Sequence, residues 1–237
     1  MRVDERGWLQ GEAADAPIVH LPTVRVSRLA QGGALGLVWH ATGGIGGPRY
    51  AEGLARRIQT YRRGVDRAAS WHVCIAASGA VFQSAPFSVG TWHVGRPGVV
   101  AGTPHPSVNA VTIGVELENA GPLLRVQGGF YAWPHWLNHQ VGRPDPHLRV
   151  GAERVVYAGK HAYDNFPATQ VESACTLVRA LAAYRGLGPD AFRYCHADFA
   201  APTKTDPGPV WTRLLPGLLE TAFQHGDASV EQIRRAS

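Results

Sequence analysis

The sequence has little cysteine: Cys74, Cys175 and Cys195 are odd in number and show no CxxC spacing. That pattern excludes a disulfide framework and a structural zinc knuckle, and fits a reducing compartment. Long apolar runs are missing too. The opening stretch, MRVDERGWLQGEAADAP, is charged and holds no apolar core of signal-peptide length, and no later segment approaches the roughly 20 residues of a membrane span. A cytoplasmic protein with no membrane partner is expected. Charge of one sign is not concentrated either: the formal net charge is +5 and the pI near 9.4, yet the basic residues are scattered. The nearest cluster, Arg56, Arg57, Arg62, Arg63 and Arg67, recurs at helical spacing and reads as a solvated helix face. Without a basic patch interleaved with aromatics, nucleic acid is excluded as a partner.

What is present suits one large domain. The chain has 237 residues, 45% of them hydrophobic, which is enough for a well-buried core and cramped for two domains. Gly and Pro together make up about a fifth of the chain without periodicity, so they mark turns. Residues 1 to about 30 read as an extended lead-in. The run Leu35-Gly36-Leu37-Val38-Trp39 is the first convincing strand and ends at His40, where Ala41 to Pro48 forms a glycine-rich loop. Leu54, Ile58 and Tyr61 predict an amphipathic helix from Tyr50 to about Arg63. Trp71 to Ala77 and Ala80 to Gln83, joined by Ser78-Gly79, predict a hairpin, and Val111 to Leu117 a further strand. From Gly121 to Pro167 periodicity is weak, which predicts an irregular surface excursion with room for one short hairpin. Val171, Ala174, Leu177, Val178 and Leu181 mark a helix over Thr169 to Tyr184 that Gly186 ends; a short strand at Phe192 to Cys195 and a helix at Val210 to Phe223 follow. The tail from Gly226 is polar. Strands separated by helices, with one hairpin, give an α/β domain over residues 31–225, built on a central mixed β-sheet flanked by helices.

Most of the eleven histidines need no special reading; His20, His105, His135, His139, His147, His161 and His225 read as solvated or hydrogen-bonded residues. His40 differs, because it sits where a buried strand opens into a loop and a rigid element can aim a side chain into a cleft. The segment from Cys195 to Pro209 packs His196, Asp198, Lys204 and Asp206 between prolines. Two imidazoles and a carboxylate suit Zn2+ and leave a fourth coordination place for water, so His40, His196 and Asp206 form a candidate site, with Asp198 as the rival carboxylate. No compact HExxH signature accompanies them. Cys195 adjoins His196, but neighbours on a strand face opposite ways. Glu116, read alone, is an outward-facing acid on a strand.

The order and content of six short pieces resemble the zinc amidase family that includes N-acetylmuramoyl-L-alanine amidases of the AmpD type, phage lysozyme-like amidases and peptidoglycan recognition proteins. The pieces are Leu37-Val38-Trp39-His40-Ala41-Thr42-Gly43-Gly44, Ser70-Trp71-His72-Val73-Cys74-Ile75, Ser78-Gly79, Thr91-Trp92-His93-Val94-Gly95, Asn109 with Thr112-Ile113-Gly114-Val115-Glu116-Leu117, and His196 through Pro209. The resemblance implies a zinc site in a cleft at one edge of the sheet, with His40, His196 and Asp206 as ligands. It further implies Glu116 as general base, Lys204 as oxyanion stabiliser, Trp92, His93 and Asn109 as parts of the substrate cleft, and His72 as structural support. It favours Asp206 over Asp198, because the family's carboxylate follows Lys-Thr and precedes Pro-Gly.

By the same resemblance the reaction is hydrolysis of the amide between the lactyl group of N-acetylmuramic acid and L-alanine, in peptidoglycan or soluble muropeptides. Two departures stand out. Ala200-Ala201-Pro202-Thr203-Lys204 lacks the Pro-Gly-Arg that relatives commonly carry before the lysine, and the stretch 121–167 is longer than in compact members. The alternative of a non-catalytic recognition module of the same fold is set against the presence together of His40, His196, Asp206, Lys204 and Glu116. A lytic endolysin and a recycling enzyme are both compatible with the sequence, which shows no wall-anchoring repeat.

Overall fold

The run Gly36–Ala41 is buried on both faces over its first five residues, as a central strand of a largely parallel sheet must be. Around it the computed structural model describes residues 1–11, 17–23, 25–43, 50–59, 69–126, 128–132, 137–138, 143–144, 149–200 and 202–224. The first strands are β1 (Arg2–Val3), β2 (Leu9–Gln10), β3 (Ile18–His20) and β4 (Gly36–Ala41), followed by helix α1 (Tyr50–Gln59). Then come β5 (Val73–Ile75), β6 (Val81–Gln83), β7 (Gly98–Val100), β8 (Thr103–His105) and β9 (Thr112–Leu117). Strands β10 (Pro122–Val126), β11 (Gly129–Ala132), β12 (Leu137–Asn138), β13 (Arg143–Pro144), β14 (Arg149–Val150), β15 (Val155–Ala158) and β16 (His161–Asp164) occupy the next stretch. Helix α2 (Ala168–Arg185), β17 (Tyr194–Cys195), α3 (His196–Ala200) and α4 (Pro209–Gln224) complete the chain.

The main sheet has the order β17-β4-β9-β5-β6-β3. Strands β17, β4, β9 and β5 run parallel, β6 returns antiparallel to β5, and β3 lies parallel to β6. Side chains alternate across it with period two, and that alternation divides the labour of its faces. Leu37, Trp39, Val73, Ile75, Ile113, Val115 and Leu117 point to one face and pack in a single cluster with Val171, Leu177 and Val178 of α2 and Trp211 and Leu218 of α4. Trp39 anchors that side, its ring 4.9 Å from Trp211 and its indole N–H donated to the Phe192 carbonyl. Helix α2 stops at Gly186, which takes the left-handed conformation (φ 66°) that a residue with a β-carbon resists. Val38, His40, Gly114 and Glu116 fall on the other face.

Two stretches depart from expectation. The lead-in is not merely extended chain: β3 is the edge strand of the main sheet, and Leu9 is fully buried in the core. The Gln83 side chain secures it, accepting the Leu9 N–H and donating to the Gly7 carbonyl. Three residues of strand are too few for alternation to register in the sequence. The stretch 121–167 is likewise more ordered than an irregular excursion, forming an antiparallel five-stranded sheet of order β14-β11-β10-β16-β15. Its small core of Ala120, Ala132 and Val150 is completed by Leu123, Phe130 and Val155. Strands of two to five residues joined by glycine turns leave a weak pattern, because cross-strand pairing and not local periodicity holds them.

The described part of α1 ends at Gln59, and Arg56 lies exposed and paired with Glu52, as an outward arginine face requires. Tyr61, Arg62, Arg63, Arg67, His135, His139, His147, His225, the loop from Gly44 to Pro48 and the tail 226–237 lie outside the described residues. No helix among the described residues is long and apolar enough to cross a membrane.

Candidate metal centre and active-site cleft

Parallel register explains how residues so distant in sequence meet. His40 on β4 pairs with Glu116 on β9, and Tyr194 and Cys195 of β17 pair with Val38 and Trp39. His196 therefore follows Cys195 as His40 follows Trp39, and the three side chains form one cross-strand row at the C-terminal ends of the strands. The chain turns into α3 at His196, where the Asp198 carboxylate accepts the Cys195 N–H at 2.7 Å. Asp206 comes back over this turn, its carbonyl accepting the Ala197 N–H at 3.1 Å. The loop between is held by the Ala200 carbonyl, which accepts from the N–H groups of Thr203 and Lys204 and from the Thr203 hydroxyl.

The candidate ligand atoms converge. Nδ1 of His40 lies 3.1 Å from Nδ1 of His196; Oδ2 of Asp206 lies 3.1 Å from the latter and 3.5 Å from the former. Three such acceptors turned on one point repel each other unless a proton or a cation sits among them. A tetrahedral zinc ion with ligands at about 2.0–2.2 Å sets them about 3.4 Å apart, so the observed triangle fits it. These three residues are the one His/Cys/Asp/Glu group suited to a metal among the described residues. Cys195 does not join them: it is buried in the core, and burial pushes its thiol up to about 12.

Electrostatics reinforce the division of roles. Burial lowers the His40 pKa against the raising effect of Asp206, which keeps the ring neutral and able to ligate. Burial alone would raise the Asp206 pKa, but the adjoining His196 and His40 rings hold it well below the usual carboxylate range. Glu116 goes the other way, pushed up to about 8 by burial and by the Asp206 charge, with Lys204 opposing. Its Oε2 is sealed from solvent and has no hydrogen-bond partner among the described residues.

A cleft of about 530 Å³ opens over this row. Glu116, Lys204, Trp92 and His93 line it together with His40, His196 and Asp206. His93 is nonetheless almost fully buried, with Nδ1 3.0 Å from Nε2 of His40, so it backs the His40 ring. Asn109 does not line the cleft. Its buried Oδ1 accepts the backbone N–H of His93 at 3.1 Å and of Val94 at 2.8 Å, which makes it a pin for the cleft wall. His72 is fully buried, accepting the Gly114 N–H on Nδ1 and donating from Nε2 to the Val89 carbonyl. Sequence reasoning passed over Arg25 and Arg96, which add cationic lining; the Arg25 guanidinium stands 5.9 Å over the half-exposed Trp92 ring. Arg96 follows directly on the Trp-His-x-Gly piece and was open to notice, whereas nothing near Arg25 in sequence marks it. A second cavity of about 600 Å³, lined by Ser27, Tyr184 and Arg185, shares no residue with this cleft.

Among solved structures, a selenomethionine derivative of AmpD is 21% identical with a TM-score of 0.55, covering 91% of this chain and 99% of that one. The likeness shows a shared fold. AmiD from E. coli, solved with the substrate anhydro-N-acetylmuramic acid-L-Ala-D-gamma-Glu-L-Lys, is 20% identical with a TM-score of 0.47, covering 91% of this chain and 65% of that one. The amidase LysC from Clostridium intestinale is 14% identical with a TM-score of 0.48, covering 88% and 98%. No curated protein sequence matches the chain. The model of one protein family matches residues 32–209, which spans β4 to the start of α4 and every residue of the ligand row, and the chain belongs to that family, the N-acetylmuramoyl-L-alanine amidases.

Proposed function

We propose that this chain uses Zn2+, held by His40, His196 and Asp206, to hydrolyse the amide between the lactyl group of N-acetylmuramic acid and L-alanine, in peptidoglycan or soluble muropeptides. Family membership supports a peptidoglycan amidase; the observation that carries the metal-dependent reading is the meeting of a three-ligand triangle with a buried, unbonded carboxyl oxygen of Glu116 in the same row. When bound in such an open site, Zn2+ acidifies water to a pKa of about 7 and polarises a carbonyl.

The remaining work falls to side chains of the chain itself. Glu116, as carboxylate, takes a proton from the attacking water and passes it to the departing amine, so one group serves both halves of the reaction. Water oxygen bonds to the lactyl carbonyl carbon, the carbon–nitrogen bond breaks, and a lactyl acid and a peptide with a free L-alanine amine leave. Negative charge gathers on the carbonyl oxygen in between, and the ammonium of Lys204, which lines the cleft, would stabilise it. Trp71 and Trp92 offer apolar walls for the substrate and Arg25 and Arg96 offer charge for its carboxylates.

The test is product analysis. Zinc-loaded protein is incubated with intact sacculi and with anhydro-muropeptides, and released material is read by mass spectrometry. Peptide beginning with L-alanine from either substrate supports the reading, and the ratio between the two tells wall degradation from recycling. Cleavage confined to the glycan strands contradicts it, and tight binding of muropeptide without any cleavage would identify a recognition module instead.

A further inference from the structure

The hydrogen bonds behind His40 run in one direction only, and that direction can be worked out from a group with no choice. The Val108 carbonyl can only accept, so the Thr112 hydroxyl, 2.7 Å away, donates its single hydrogen there. Thr112 Oγ1 is then an acceptor for the His93 ring, whose Nε2 lies 3.3 Å from it and must carry the hydrogen. His93 is buried between the rings of His40 and His72 with no carboxylate in contact among the described residues, so it is neutral and has one N–H. Its Nδ1 is therefore an acceptor, and Nε2 of His40, 3.0 Å away, is the donor. A neutral imidazole that carries its hydrogen on Nε2 has a bare lone pair on Nδ1, and Nδ1 is the atom that His40 turns toward His196 and Asp206.

Packing holds the relay in place. A β-carbon added at Gly114 would stand 2.5 Å from Cγ of His93, so the ring lies directly on the β9 backbone, where only glycine leaves room. Asn109 fixes the backbone of the same residue from the other side. The Trp-His-x-Gly piece, Asn109, Thr112 and the glycine of Ile-Gly-Val-Glu are thus parts of one device.

We infer that His93 is a positioning residue, set by Thr112, which fixes the Nε2–H tautomer of His40 and so aims the Nδ1 lone pair at the metal. The inference rests on the reading of His40 as a ligand. Ligating histidines commonly give their second N–H to a carboxylate or a carbonyl, and such partners are worth about 10–100-fold in metal affinity; here another histidine takes that place.

Two measurements test it. In the metal-free wild-type protein, ¹⁵N chemical shifts of the histidine rings should show a pyridine-type Nδ1 and a pyrrole-type Nε2 at both His40 and His93. Zinc affinity, read by competition with a chromophoric chelator, should fall about 10–100-fold in His93→Phe. It should fall less in Thr112→Val, and recover in His93→Asn, whose Oδ1 can accept the same N–H. A pyrrole-type Nδ1 at His40, wild-type affinity in His93→Phe, or an asparagine variant no better than phenylalanine would overturn the relay. A wild-type protein that showed the Nε2–H tautomer at His40 yet took up no zinc would support the relay and remove the metal centre instead.

Discussion

A buried carboxyl with an unbonded oxygen costs free energy to keep, and Glu116 keeps one at the floor of the cleft. That cost is understandable if the oxygen is held open for a proton. Glu116→Gln preserves shape and removes the base, so kcat should drop about 100- to 10,000-fold while the protein still takes up one zinc, measured by steady-state kinetics beside metal analysis. Lys204→Ala should lower kcat about 100- to 1,000-fold with a smaller change in KM, because its charge is matched to an oxygen that becomes negative only during reaction. At this scale the candidate ligand set was legible chiefly through order: His40, His196 and Asp206 match family pieces, whereas their spacing alone left Asp198 open. The relay behind them was not legible, since the direction of a hydrogen bond depends on where Val108 and Thr112 meet in space. Asn109 was read as a cleft residue for the same reason; a sequence match marks that a residue matters and is silent on which way it faces.

Elements matter where the second sheet is joined to the first. Asp164, at the end of β16, is fully buried, accepts the Ala120 N–H and pairs through both carboxylate oxygens with Arg154. Asn119 donates its side-chain N–H to the Asp164 carbonyl, while its backbone N–H reaches the Thr42 hydroxyl on the cleft wall. A chain of bonds therefore runs from the long stretch 121–167 to the rim of the active site. Arg154→Ala would strand the buried Asp164 charge and should cost about 3 kcal/mol, read as a lower urea midpoint. Helices α1, α2 and α4, the β5–β6 hairpin and the strands bearing His40 and Glu116 were legible from periodicity and turn residues, because each is long enough or tight enough to leave a local signal, whereas the five residues of α3 are too few to show a helical period. The edge strand β3 and the five-stranded sheet were not, because two to five residues held by partners elsewhere in the chain carry no period of their own.

The molecule as a whole buries several neutral histidines, and its response to acid follows from them. His72 is held down to about 4, first by burial, with the Val89 hydrogen bond opposing that fall. Its folded pKa lies below its unfolded value near 6.5, so the unfolded chain binds more protons between those limits and stability is present above pH 6.5 and lost as pH falls toward 4. The group is worth about 3 kcal/mol over that window, and His40 and His93, also lowered by burial, add in the same direction. Metal-free protein should thus lose urea resistance steadily from pH 6.5 to 4, and a His72→Asn variant should show a shallower slope. Protons would compete with the proposed Zn2+ for His40 as well, so metal uptake should weaken as pH falls.

In the proposed enzyme three side chains, one on β4, one opening α3 and one in the loop after α3, meet on one divalent ion in the cleft. The direct measurement follows zinc content and muropeptide turnover in the same samples while a chelator strips the metal and zinc is then restored. Turnover that falls in proportion to bound zinc and returns at one equivalent is the expected result. Full turnover in protein verified to hold no metal would contradict it.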